Sequence, residues 1–327
     1  MFFHYQFTLF SKMDKKSTVK FIWPETDFKI NALFKYSNPN EVEAEFRKIY
    51  PNVFPVLFSS ARAGIVNLLI HLNANKLTKV WTPYFTSHCV LGAISRIGFP
   101  TPDNQNSNIA LVYHQWGYTQ KFEDINQIII EDSADSFFLP GQILFPNDSS
   151  YQVVSLPKSL GCAGGGILFC KSEEDAISIR LIRNAKSNFN TNHFILKLLG
   201  QYSKIIYNYW DSIESAMGYP SSLLCADILI KLNKINVFTE RIKSNFNRLE
   251  QAGLILNLEK LSEDRLPCAV PLVNYNIFNK TLNTLIKELR MFNISGNYQK
   301  CNFEKVLPIP VHKDIDDSFI DNFLNHV

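Results

Sequence analysis

The sequence predicts an α/β fold, with a large, mostly parallel sheet covered by helices on both faces and a smaller C-terminal α/β region. Three observations carry that expectation. Short β-rich runs alternate with helical patterns through the first half of the chain, as crossover units require. An apolar stripe at three- and four-residue spacing runs from Leu224 to Leu249, the mark of a long packed helix. The chain has 327 residues, a length that favours two unequal domains over one. The expected division is 1–215 for the large domain and 216–327 for the small one, led by the long helix. Residues 1–16 are expected to be an extension.

The elements follow in order. "FPVLFSS" (54–60) reads as a strand and "ARAGIVNLLIHLN" (61–73) as a helix, with Ser59 or Ser60 as its cap. "KVWTPYF" (79–85) is a second strand, and "SHCVLGAISRIG" (87–98) a helix stopped by Gly98. "NIALVYHQ" (108–115) is a strand, and "QIIIEDSADS" (127–136) is an apolar strand that runs into acidic residues. "YQVVSLPK" and "GGILFCKS" are two more strand candidates on either side of a glycine-rich turn. Residues 180–210 read as partly helical. The stripe from Leu224 passes through Ile228, Leu232, Ile235, Phe238, Ile242 and Phe246, and Gly253 ends it. "CAVPLVNY" (268–275) and "KVLPIPVH" (305–312) are the small domain's strands, and "DDSFIDNFLNHV" closes the chain as a helix.

Composition narrows the function classes. Hydrophobic residues make up 46% and charged residues 19%, which describes a globular chain. A net charge of +3, from 33 basic and 30 acidic residues, leaves no footprint for nucleic acid or an anionic membrane. The six cysteines form no CxxC and do not pair with histidines at zinc-finger spacing. No metal site is expected, and a reduced cytoplasm fits them as small buried hydrophobes. The opening "MFFHYQFTLFSK" lacks a basic n-region and a small-residue cleavage site. No apolar run approaches the length of a membrane span.

Three loops that follow strands bear chemistry: Ser59-Ser60-Ala61-Arg62, Glu131-Asp132-Ser133-Ala134-Asp135, and Ser155 to Gly166. Parallel sheets place ligands beyond the carboxyl ends of their strands. Taken singly, each loop also has a bland reading: serine caps, an acidic surface turn, a solvated lysine before glycines. A nucleotide loop needs its glycines before the lysine, whereas here Gly161, Gly164, Gly165 and Gly166 follow Lys158. A dinucleotide fingerprint fails too, because "GCAGGG" leads into "ILFC" and not into a helix. Pyridoxal 5′-phosphate (PLP) fits the combination. It needs a lysine for covalent attachment, a carboxylate for its ring nitrogen and a phosphate site. The helix from Ala61 offers N–H groups and its positive end to a phosphate.

At these residues the chain resembles the DegT/DnrJ/EryC1/StrS family of PLP-dependent sugar aminotransferases. The likeness runs in order from about residue 54 to 325. "FSSARAGIVNLLIHL" is similar to the family's "SGTAALHLAL", "IIIEDSADSF" to "LIEDAAQAF", and "SLPKSLGCAGGGILF" to "SFHPTKNLGTGEGGAVV". "TPYFTSHCVLGAISRIGFP", "LVYHQWGYTQKFEDI", "YPSSLLCADILIKLN" and "VLPIPVHKDIDDSFID" also resemble family segments.

The resemblance implies a PLP-transferase fold of type I. It also implies transamination of a keto-sugar, nucleotide-activated, with glutamate as amino donor, in a cytoplasmic homodimer. Lys158 would carry the cofactor and move protons. Asp132 would pair with the ring nitrogen. Ser60, Ala61, Arg62 and Ser155 would hold the phosphate, and His88 would stack on the ring. Asp135 stands where the family has a glutamine beside the phenolic oxygen. Ala61-Arg62 replaces Gly-Thr, and Met217-Gly218-Tyr219 replaces Asn-Tyr-Arg. These departures keep two alternatives open. One is a PLP enzyme of another reaction type or with a non-sugar ketone. The other is a PLP-fold binding subunit without catalysis.

Overall fold

The structure is a computed structural model. It describes residues 22–103, 107–123, 127–138, 144–185, 196, 199–200, 203–214, 218–255, 265–273 and 289–325. Met217 lies outside the described residues.

The central sheet has seven strands: β1 (Phe54–Phe58), β2 (Lys79–Trp81), β3 (Phe99–Thr101), β4 (Ile109–Tyr113), β5 (Ile128–Asp132), β7 (Tyr151–Ser155) and β8 (Gly166–Cys170), in the order β1-β8-β7-β5-β4-β2-β3. Only β8 runs against its neighbours, so the sheet is mostly parallel. Strands buried on both faces read as unbroken apolar runs, and alternate residues sort to opposite cores. Leu57, Val154, Ile167 and Phe169 enter one cluster. Val56, Phe58, Val153 and Leu168 enter the other.

Helices cover both faces: α1 (Pro39–Ile49), α2 (Ala61–His71), α3 (His88–Ile94), the short α4 (Leu156–Leu160), α5 (Glu173–Asn184), α6 (Lys204–Glu214), α7 (Ser222–Leu232), α8 (Ile235–Gln251) and α9 (Asp317–Leu324). Ser60 caps α2 by accepting from Ala63 N–H. Asn38 caps α1 by accepting from Asn40 and Glu41 N–H, with Pro39 opening the helix. That Asn-Pro start is a strong signal, yet α1 was not among the expected elements. A pair of strands, β6 (Ser136–Phe138) and β9 (Arg265–Pro267), and a three-stranded sheet, β10 (Ala269–Leu272), β12 (Phe303–Pro310) and β11 (Arg290–Asn293), complete the topology.

The single long helix expected from Leu224 to Leu249 is two helices, parted at Asn233 and Lys234. Leu224, Ile228 and Leu232 on α7 pack into the first sheet cluster, together with Ile235, Phe238 and Ile242 of α8. Phe246 and Leu249 pack with β10, β12 and α9 in a separate cluster. A two-residue break that preserves the apolar spacing is invisible to periodicity, but it lets the second helix serve a second core. The strand expected over 79–85 stops at Trp81, and the helix expected over 87–98 stops at Ile94. No helix among the described residues is long and apolar enough to cross a membrane.

The outer edge of β1 is sealed by charge. Buried Glu43 on α1 accepts from Leu57 N–H at 2.8 Å, from Arg183 at 2.5 Å and from Arg180 at 2.7 Å. Arg183 donates on to Leu57 O, and Arg180 to Pro55 O. The edge backbone groups are thus satisfied as a further strand would satisfy them. Glu43→Ala would leave Arg183 buried without its counter-charge. A loss of about 3–5 kcal/mol is expected in urea unfolding. A loss under about 1 kcal/mol, the scale of a surface pair, would show that the edge does not depend on it.

Candidate active site

Strands β1, β2, β4, β5 and β7 point the same way, so Phe58, Trp81, Tyr113, Asp132 and Ser155 end on one side of the sheet. The ends of these strands and the segments just after them carry Ser60, Ala61, Arg62, His88, Asp132, Asp135, Ser155 and Lys158. Lys158 sits in α4, just after β7. Its Nζ donates to Asp135 Oδ1 at 2.7 Å, and the ammonium lies 4.4 Å from the centre of the Trp23 ring. The fully buried Asp135 also accepts from Trp23 Nε1 at 3.1 Å and from the Tyr113 hydroxyl. Burial and the neighbouring Asp135 charge hold the Tyr113 hydroxyl well above its ordinary pKa, which keeps it a donor.

Asp132 is the last residue of β5, in register with Tyr113. Its Oδ1 accepts from Ala134 N–H at 3.1 Å. Burial pushes its pKa up to about 6, and only partly is this offset by the charge of Lys158. Among the described residues, no cation makes a salt bridge to this buried carboxylate. Beneath it, Glu131 and His114 lock the strand ends. His114 Nδ1 accepts from Gln120 N–H, so Nε2 carries the proton that it shares with Glu131 at 2.5 Å. Burial would raise the Glu131 pKa, but the bonds from His114 and Asn147 bring it below its ordinary value.

The Ser60 loop lies against the glycine run. Gly165 N–H donates to Ser59 O at 2.8 Å, and Ser60 bridges to Gly165. A Cβ on Gly166 would stand 2.2 Å from Ala61 N. The glycines therefore allow close backbone approach, and Gly161 (φ +71) and Gly165 (φ +97) also adopt left-handed turns. The first bond of α2 is Gly64 N–H to Ser60 O, so the N–H groups of Ala61 and Arg62 have no acceptor within the helix. The Ser155 side chain makes no cap bond to α4.

Arg62 turns to Asp211 of α6 at 2.9 Å and lies over Trp210. His88 opens α3 and is exposed. Gly218 O accepts from Ser59 N–H, and Tyr219 packs under Arg183. The geometry thus gathers Lys158, Asp132 and Asp135, with the Ser60 loop beside the glycines behind Lys158.

Sequence reasoning missed Trp23 and the groups that hold it. Lys231 and Asp227, one turn apart on α7, form a buried pair at 3.0 Å. Lys231 donates to Gly161 O at 2.7 Å and to Asp27 O. Asp227 accepts from Ala163 N–H and Lys29 N–H. Asp27 N–H donates to Gly161 O. This clamp binds residues 27–29 to the turn behind Lys158 and so brings Trp23 over the amine. The available signal was an Asp–Lys pair at i,i+4 on the apolar face of a helix.

These residues fit PLP. A buried carboxylate with no salt-bridge partner among the described residues suits a protonated ring nitrogen, and the lysine stands beyond the next strand end. The α2 start, approached by a backbone where a Cβ cannot fit, suits a phosphate.

Comparison with known proteins agrees. A family model described as "Putative PLP-dependent aminotransferase" matches residues 42–327. No curated protein matched the sequence. Among solved structures, a DegT DnrJ EryC1 StrS aminotransferase from Brucella abortus is 14% identical; the alignment covers 90% of this chain and 91% of that one, with TM-score 0.58. NtdA from Bacillus subtilis, with bound cofactor PMP, is 13% identical, covering 91% and 78%, with TM-score 0.59. DesI in the presence of its TDP-sugar product is 13% identical, covering 88% and 83%, with TM-score 0.58. At these identities the likeness is one of fold.

Two outcomes are expected. The folded-state pKa of Asp132 lies above its unfolded value, so its contribution to stability is full below about pH 4 and falls as pH rises through about 6. Cofactor-free Asp132→Asn should therefore be more stable than wild type above pH 6, by up to about 3 kcal/mol, with the gain vanishing towards pH 4. Urea unfolding across pH reads this, and equal stabilities at pH 8 would overturn the burial argument. Separately, Gly166→Ala should weaken PLP binding by about tenfold or more, because its Cβ forces Ala61 away from β8. An absorbance titration showing wild-type affinity would contradict that.

Proposed function

The chain belongs to the PLP-dependent aminotransferase family whose model it matches over residues 42–327, and from that premise we propose that it aminates a nucleotide-activated keto-sugar, with glutamate as the donor. Its fold is that of PLP-dependent aminotransferases of type I, and its cofactor is PLP. The ordered motif resemblance over residues 54–325 supports the sugar. So does the fold shared with DesI, solved with its TDP-sugar product.

The observation that carries the reading is the placement of Asp132 at the end of β5 and of Lys158 just beyond the end of the adjacent β7. Bound here, PLP supplies an electron sink for the carbon that loses a proton. Asp132 holds a proton on the ring nitrogen, and its burial strengthens that interaction. With the cofactor bound, the Lys158 amine would hold it covalently and, once displaced by the donor, would take up the proton that the donor's α-carbon loses. Ser60, Ser155 and the first turn of α2 hold the phosphate. Arg62 reaches it only by leaving Asp211. His88 stands after β2, where a ring stacked on the cofactor would sit.

On this reading residues 1–215 form the cofactor-binding domain and 216–327 the smaller one, with α7 returning to the large core. The protein works as a homodimer in the cytoplasm.

Purified protein supplied with PLP should be yellow, and borohydride should fix the cofactor to Lys158, as peptide mass spectrometry would show. Glutamate should bleach the band, and Lys158→Ala should abolish both effects. A band that no amino donor bleaches would favour the binding-subunit reading. Protein that takes up no cofactor would remove the basis of the proposal.

A further inference from the structure

Asp135 stands where the resemblance places a glutamine beside the cofactor's phenolic oxygen, yet in this structure its carboxylate is committed elsewhere. One oxygen takes Lys158 Nζ at 2.7 Å and Trp23 Nε1 at 3.1 Å, and the other takes the Tyr113 hydroxyl. The Trp23 ring covers the ammonium at 4.4 Å, and the Asp227–Lys231 clamp fixes the segment that delivers it. We infer that Asp135 and Trp23 are positioning residues that form a resting site for the unattached Lys158 amine, with Asp135 as its counter-ion and not a ligand of the cofactor ring. The inference rests on Lys158 being the cofactor lysine.

The charge arrangement supports this. Among the described residues, Asp135 contacts the Lys158 amine, its charge is felt by Asp132 of β5 and by Cys268 before β10, and Tyr113 of β4 reaches the same Asp135 carboxylate. Burial holds Tyr113 and Cys268 in their neutral forms. Among the described residues, the two carboxylates offer negative charge, and Asp135 reaches the amine in hydrogen-bond contact. Asp132, left to the ring nitrogen, balances the second cation. Two carboxylates thus serve two cations. The site holds the unattached Lys158 amine as an ammonium between Asp135 and the Trp23 ring. A glutamine in place of Asp135 would supply no such charge.

The test follows acetylation of Lys158 by acetic anhydride, read by peptide mass spectrometry and normalised to Lys48, which is largely exposed. The full-length chain is compared without cofactor and saturated with pyridoxamine 5′-phosphate, which leaves the amine unattached. In wild type, the labelling rate of Lys158 should still be rising at a pH where that of Lys48 has levelled off. Asp135→Asn should speed labelling near pH 8 by about tenfold, the scale of losing one contact counter-charge. Tyr113→Phe removes a competing donor and keeps the charge, so labelling should be no faster than wild type. A site that merely loosened would speed in both variants.

Equal rates in wild type and Asp135→Asn would overturn the inference, as would a wild-type profile that levels off no later than that of Lys48. The wild-type profile decides the matter even if Asp135→Asn does not fold. None of these outcomes depends on transamination. Failure of borohydride fixation would instead count against the cofactor role of Lys158.

Discussion

A buried ion pair on one helix face turns three distant segments into a single site. Asp227 and Lys231 are both buried on α7, and on their own would contribute little net stability, because desolvation offsets their attraction. Their value lies in what they hold. Lys231 ties Gly161 to Asp27, and Asp227 ties Ala163 to Lys29. The turn behind Lys158, the helix that packs beneath it and the strand-like segment that crosses it are thereby bonded to the same two side chains. Neutralising one partner would leave the other charged in a dry interior and would free the turn and the segment together.

Much of the fold was legible because parallel strands are apolar throughout and their loops carry the polar residues. The strands ending at Phe58, Tyr113, Asp132 and Ser155 were all expected, although each stops two to four residues before its expected end. Three kinds of feature were not legible. The Asn233–Lys234 break preserves helical spacing, so periodicity passes through it. Short strands such as β3, β6 and β9 owe their existence to partners far away in sequence. Trp23 sits near no motif, and contacts far along the chain, to Asp135 and Lys158, give it a role. Local pattern reports propensity; it does not report which remote backbone a side chain will meet.

The candidate site was legible in its parts and not in their wiring. Lys158 and Asp132 stood out from their loops. Asp135 stood out as a misfit, because a second carboxylate three residues on should repel a phenolate. In the fold that misfit has cationic and hydroxyl partners, and its charge falls on the lysine. The glycine run had an ambiguous meaning in sequence. Its clearest function here is steric, since Gly166 gives the Ala61 backbone room that no other residue would leave.

The clamp also bears on the order in which the protein becomes complete during synthesis. Residues 27–29 leave the ribosome early, but Asp227 and Lys231, their anchors on α7, follow about two hundred residues later. Nascent chains whose decisive contacts are so remote must keep the early segment waiting while later elements fold. The Trp23 cover over Lys158 is therefore a late addition.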